Sequence, residues 1–134
     1  MSETPRILVV DDVEDNREIV RARLESQGYR VITADDGEAA LSAVRAEVPD
    51  LILLDVMMPK LDGFEVARRL KADKSLPYMP IIHVTAKSDS RDVVAGLDAG
   101  GDEFLTKPID HAALLARVDL TAGVNYQPGS RLRG

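Results

Sequence analysis

Four apolar residues in a row, ILVV at positions 7–10, stand between Arg6 and Asp11. A run this short and this sharply bounded by charge is the pattern of a β-strand covered on both faces, because a strand with one wet face alternates instead. LILL at 51–54 repeats the pattern, and PIIHV at 80–84 repeats it with one polar interruption. RVITA at 30–34 reads as a weaker strand and EFLT at 103–106 as a short one. Between these runs the spacing of apolar residues changes to the helical period. Residues 14–27 carry Ile19, Val20, Ala22 and Leu24, with Gly28 as a stop. Residues 38–47 carry Ala39, Ala40, Leu41, Ala43 and Val44, and residues 63–72 carry Phe64, Val66, Ala67 and Leu70. A fourth helix is predicted over 89–99, on Val93, Val94 and Leu97, with Ser88 or Asp89 as its N-cap. A fifth starts near Asp110 and buries Leu114, Leu115 and Val118.

The order is β then α, five times. Strands joined by helical crossovers run parallel, with helices on both faces, so the expected class is α/β: a (βα)5 three-layer sandwich around a parallel five-stranded sheet. A chain of 134 residues with 45% apolar content is one domain with a sizeable core. The folded unit is expected over 1–122. Residues 123–134 gather Gly, Pro and Ser and read as a tail or linker. With 17 Lys+Arg against 23 Asp+Glu, a net charge of −6 argues against nucleic acid as a direct partner. The lack of cysteine removes disulfides and thiolate metal sites. No apolar run has membrane-spanning length, and MSETPR at the N-terminus lacks the form of a signal peptide, so a cytoplasmic location is expected by elimination.

In an open parallel sheet, ligands bind beyond the carboxyl ends of the strands. Asp11 and Asp12 follow the first strand and Asp55 follows the third. Each alone reads as a turn, a helix cap or a solvated acid. Together they set three carboxylates on one edge, which repel unless a cation sits among them. Oxygen ligands without His or Cys favour a hard ion, Mg²⁺ or Ca²⁺. Thr85 and Ala86 follow the fourth strand, and Lys107-Pro108 follows the fifth. A hydroxyl and an ammonium complete the parts of a phosphoryl-transfer site: metal, donors for the phosphoryl oxygens, and a carboxylate nucleophile. A cis Lys107–Pro108 peptide, accessible before proline, would aim the lysine along the strand ends.

VVDD at 9–12, LLDVMMPKLDGFEVARRLK at 53–71, VTA at 84–86 and FLTKP at 104–108 closely resemble the receiver domains of two-component response regulators, over about residues 6–119. The resemblance implies a flavodoxin-like fold with strand order 2-1-3-4-5. It implies that Asp55 accepts a phosphoryl group from a histidine kinase or a histidine phosphotransfer protein. Asp11, Asp12, Asp55 and the backbone carbonyl of Met57 would hold Mg²⁺, while Thr85, Ala86 and Lys107 would grip the phosphate. Phe104 stands where the family's switching aromatic stands, though plain core packing explains it equally well. A downstream protein would read the surface of the fourth helix, fifth strand and fifth helix, with the chain a monomer or a weak phosphorylation-dependent dimer. Met57 and Lys87 would flank the approach of water and tune the lifetime of the phosphate. No enzyme activity beyond self-phosphorylation and autodephosphorylation is implied. The chain would be a stand-alone receiver or part of a larger regulator, with a modest tilt to the former.

Gly100-Gly101-Asp102-Glu103-Phe104 also spells the signature loop of diguanylate cyclases. No Asn-Asp-x-x-Gly-His-x-x-Gly-Asp nucleotide motif precedes it, and the letters fall where a receiver enters its fifth strand. An aspartate-nucleophile phosphohydrolase of the haloacid dehalogenase type needs a second aspartate at position 57, where Met stands. A flavodoxin-like FMN carrier needs a Ser/Thr/Gly-rich phosphate loop after the first strand, and DDVEDNRE at 11–18 is its electrostatic opposite. His83 reads as a packed strand residue, and His111 as an exposed one opening the last helix.

Overall fold

The computed structural model describes residues 4–85, 103–107 and 109–126. Five strands form one sheet: β1 (Arg6–Val10), β2 (Arg30–Ala34), β3 (Leu51–Asp55), β4 (Ile81–Thr85) and β5 (Glu103–Thr106). Their order is β2-β1-β3-β4-β5, and every neighbouring pair is parallel. Between them run α1 (Glu14–Ser26), α2 (Gly37–Ala46) and α3 (Gly63–Ala72), and a C-terminal helix spans His111–Tyr126. The expected fourth helix and its caps lie outside the described residues, as do residues 127–134. No helix among the described residues is long and apolar enough to cross a membrane.

The unbroken apolar runs are explained by two cores, one on each face. Successive strand residues point to opposite sides, so Leu8, Val10, Ile52 and Leu54 pack against Ala40, Leu41 and Val44 of α2 and Val66, Ala67 and Leu70 of α3. Ile7, Val9, Leu51, Leu53 and Ile82 pack against Val20 and Leu24 of α1 and Leu114 and Val118 of the C-terminal helix. Burying each of the Val, Leu and Ile side chains among these contributes on the order of 2 kcal/mol. The strand with the weakest pattern, β2, is an edge strand, and its first four residues are exposed or half-buried.

The α1 stripe is narrower than the sequence suggests. Ile19 and Ala22 are exposed, and the helix packs on Val20 and Leu24, four apart on one face. Both α2 and α3 begin at aspartate caps, which fix their entry angles. Asp36 Oδ1 accepts from the Ala39 amide at 2.7 Å, and Asp62 Oδ1 from the Glu65 amide at 2.9 Å. Gly28 adopts φ +93° after α1, which is the glycine-favoured geometry of a helix stop.

The amino ends of the strands are closed by charge. Glu47 Oε2 forms ion pairs with Arg6, whose Nε lies 3.2 Å away, and with Arg30, whose Nη2 lies 3.4 Å away. Asp50 Oδ2 accepts from the Arg6 amide at 2.8 Å. At the far side of α1, the Tyr29 hydroxyl donates to Asp119, which ties the C-terminal helix to the turn before β2.

Candidate functional site

At the carboxyl ends the strands stop on polar residues instead of closing. Asp11 and Asp12 follow β1, and Asp55 is the last residue of the neighbouring β3. One carboxylate oxygen from each lies within 4.8 Å of the other two. Asp55 is 2% exposed and Asp11 7%, whereas Asp12 faces solvent. Asp55 Oδ1 accepts from the Met57 amide at 3.2 Å, and Asp11 Oδ1 from the Val13 amide at 2.9 Å. Arg17 Nη1 donates to the Asp11 carbonyl at 2.8 Å and fastens α1 to this turn.

Lys107 answers the negative charge. Its amide donates to the Thr85 carbonyl at 2.9 Å, continuing the β4–β5 pairing by one residue, and this carries the side chain across the sheet edge. Lys107 Nζ then donates to Asp55 Oδ2 at 3.2 Å. Burial holds the Asp55 carboxyl above the usual carboxylate range; the Lys107 charge opposes that and the Asp11 charge adds to it. Thr85 ends β4 with 1% exposure, and its Oγ1 is buried without a hydrogen-bond partner. Buried hydroxyls are nearly always paired, so this orphan at a strand end has capacity for one further hydrogen bond.

The segment after Asp55 is bent tightly against it. Lys60 is the one non-glycine residue with positive φ among the described residues, at 69°. Gly63 opens α3 so close to β3 that a Cβ on it would lie 2.4 Å from the Asp55 carbonyl oxygen. The side chain of Met57 is 63% exposed beside the site. A cavity of about 340 Å³ opens next to the acids, between α1 and the segment after β5, lined by Asp11, Asn16, Ile19, Lys107, Ile109 and His111.

Asp11, Asp12, Asp55, Thr85 and Lys107, five strand-end residues singled out in the sequence, therefore meet at one edge. Phe104 lies apart, half-buried on β5, with its ring stacked on His83 at 5.4 Å between centroids. His83 is fully buried and meets Phe64 edge-on at 5.0 Å, as a packed strand histidine should. Ala86, Lys87 and the isomer of the Lys107–Pro108 peptide lie outside the described residues. His111 differs from expectation: it is half-buried, and its Nδ1 is enclosed without a partner. The approach of Gly63 to Asp55 also escapes the sequence, where Asp62-Gly63 reads as a simple turn.

A family model described as the response regulator receiver domain matches residues 7–119. Response regulator PleD of Caulobacter vibrioides (strain NA1000 / CB15N) is 49% identical over 113 residues, which is 84% of this chain and 25% of that protein. The alkaline phosphatase synthesis transcriptional regulatory protein PhoP of Bacillus subtilis (strain 168) is also 49% identical over 113 residues, 84% of this chain and 46% of the relative. The chain thus spans less than half the length of either. Among solved structures, the receiver domain of the sensor histidine kinase PA1611 from Pseudomonas aeruginosa PAO1, with a magnesium ion coordinated in its active-site cleft, superposes with a TM-score of 0.82. It is 33% identical, over 90% of this chain and 99% of that one.

Proposed function

The chain belongs to the response regulator receiver family, and on that premise we propose that Asp55 accepts a phosphoryl group from a histidine kinase or a histidine phosphotransfer protein. One observation carries this reading: a buried acceptor carboxylate, its lysine counter-charge and a buried partnerless hydroxyl converge at a single sheet edge. An Asp55 carboxylate oxygen attacks phosphorus and forms the O–P bond of an acyl phosphate. The P–N bond to the donor imidazole breaks, and its electron pair returns to the ring nitrogen. Lys107, already in contact with Asp55, shifts its donors to the incoming phosphoryl oxygens, and the Thr85 hydroxyl gains the acceptor it lacks.

The all-oxygen donor set of Asp11, Asp12 and Asp55 fits Mg²⁺, with the Met57 carbonyl as a further ligand. Bound there, the ion neutralises charge on the phosphoryl oxygens during transfer. The magnesium in the PA1611 receiver supports the same choice of metal here. Ala86 joins the phosphate grip beside Thr85, and Met57 and Lys87 flank the path of hydrolytic water. The change at Thr85 and Lys107 is passed through Phe104 to the surface of the fourth helix, fifth strand and last helix. That surface controls a partner protein or an attached output domain.

Intact mass spectrometry after incubation with acetyl phosphate tests the assignment. A single phosphoryl adduct that requires Mg²⁺ and is missing from Asp55→Asn is expected. An adduct that persists in Asp55→Asn assigns the acceptor elsewhere and overturns the reading.

A further inference from the structure

Arg17 occupies a place that its charge does not explain. It is the fourth residue of α1, at the end of a helix where the dipole favours acids and where Glu14 and Asp15 stand. Its guanidinium also binds a residue of the carboxylate cluster that fits a cation, and its charge repels any such ion. Geometry supplies the reason that charge does not. α1 starts at Val13 with no side-chain cap, whereas α2 and α3 start at the caps Asp36 and Asp62. Arg17 Nη1 donates to the Asp11 carbonyl at 2.8 Å, and the Arg17 amide donates to the Val13 carbonyl at 3.0 Å. The guanidinium thus ties α1 to the turn before it, as a capping side chain does for the other two helices. The residue it holds is a candidate metal ligand. The Asp11 amide donates to the Ala34 carbonyl at 3.2 Å, and Asp11 Oδ1 accepts from the Val13 amide at 2.9 Å. The Asp11 backbone is therefore gripped by β2 on one side and by Arg17 on the other, and its carboxylate by the residue at the start of α1.

Resting on the reading that Asp11, Asp12 and Asp55 hold Mg²⁺, we propose that Arg17 is a positioning residue for that ion. By binding the Asp11 carbonyl it fixes the Asp11 carboxylate in the geometry that Mg²⁺ requires, and this outweighs the repulsion between its charge and the ion. Mg²⁺ demands oxygens at about 2.0–2.1 Å in a near-octahedral shell, whereas Ca²⁺ accepts a looser shell at about 2.3–2.6 Å. A carboxylate that is held still suits the smaller ion, and one that drifts follows the larger. Without Arg17, the Asp11 carbonyl loses its donor and the first turn of α1 loses its tie to β1. The Val13 amide, which holds the Asp11 carboxylate, then moves with that turn. A guanidinium suits the task because its planar fork is already organised, so little freedom is lost when it makes the bond. Arg17 therefore sets both the affinity of the site for Mg²⁺ and its preference over Ca²⁺.

The test is a titration of the full chain with Mg²⁺ and, separately, with Ca²⁺, followed by backbone amide NMR shifts in wild type, Arg17→Met and Arg17→Lys. Charge and position predict opposite signs. Removing a positive charge beside a cation site tightens both ions alike. Loss of positioning in Arg17→Met should instead weaken Mg²⁺ about tenfold, as removal of a group that supports a ligand does, and weaken Ca²⁺ less. Arg17→Lys keeps the charge and one donor and should recover part of the Mg²⁺ affinity. Binding is read on the folded protein, so a fall in stability alone does not move it. Mg²⁺ binding that is unchanged or tighter in Arg17→Met, or a loss equal for the two ions, overturns the role of Arg17. A wild-type chain whose amides do not respond to Mg²⁺ overturns the metal reading itself, and so separates the two ideas.

Discussion

Lys107 Nζ stands 3.2 Å from Asp55 Oδ2, on a carboxylate with 2% of its surface exposed. The contact offsets the burial of Asp55 without cancelling it, since the carboxyl remains above its usual range. A raised folded-state value means that the fold binds this proton more tightly than the unfolded chain does. The ionised side chain therefore costs stability at neutral pH, and the cost disappears as pH falls below the ordinary aspartate range near 4. Asp55→Asn should melt about 3 °C above wild type at pH 7, and the difference should close by pH 3.5. Calorimetry across that range checks the sign, and a gap that widens on acidification would contradict it.

The orphaned hydroxyl of Thr85 makes opposite demands on the two states of the protein. Thr85→Val keeps the shape and removes a buried polar group that has no partner. The unphosphorylated protein should gain about 1 kcal/mol in urea unfolding. The phosphorylated form should lose its grip on the phosphoryl oxygen, so that the stability increment on phosphorylation is smaller than in wild type. A mutant less stable without phosphate would show that the hydroxyl has a partner after all.

Asp12 is the exposed member of the acid cluster, so removing it should disturb the metal and not the fold. Mg²⁺ at a hundred times its dissociation constant should stabilise wild type by about 2.7 kcal/mol. Asp12→Ala should unfold like wild type in EDTA and show little response to the ion. If the Mg²⁺-dependent shift survives in full, Asp12 is no ligand.

Gly63 has no room for a side chain, because a Cβ there would lie 2.4 Å from the Asp55 carbonyl oxygen. Gly63→Ala should cost about 3 kcal/mol through overpacking and slow phosphorylation by displacing the acceptor. Gly28→Ala is the comparison. A Cβ there meets nothing within 4 Å, and only its positive φ resists, at about 1 kcal/mol. Equal losses at the two positions would mean that the β3–α3 approach yields to a methyl group.

What the sequence discloses and what it hides follow from the range of each interaction. The strand-end residues were legible because β1 and β3 change from wholly apolar to acidic within one residue, a local contrast. The class of fold followed from the alternation of periods. Strand order did not: nothing local to RVITA says that it pairs beside ILVV, and the order 2-1-3-4-5 came from resemblance to a family. Hidden features depend on segments that meet only after folding. Gly63 looks like a turn glycine until β3 is laid against it. His111 looks exposed until the folded chain half-buries it and encloses its Nδ1, and Ile19 looks buried until α1 is rotated onto Val20 and Leu24. The cap of α2 at Asp36 lies just ahead of the apolar pattern that announced the helix.

The two ends of the sheet have been given separate occupations. At the amino ends, Glu47 is paired by charge with Arg6 and Arg30, and Asp50 accepts from the Arg6 amide. At the carboxyl ends, a carboxylate, a hydroxyl and an imidazole are left wanting. Durability and responsiveness thus reside at opposite poles of the same strands, and substitutions can adjust one with little effect on the other. A hardier variant is best sought around Glu47, where changes leave the chemistry alone. A better-paired carboxyl edge would resist unfolding and, for the same reason, answer its signal less.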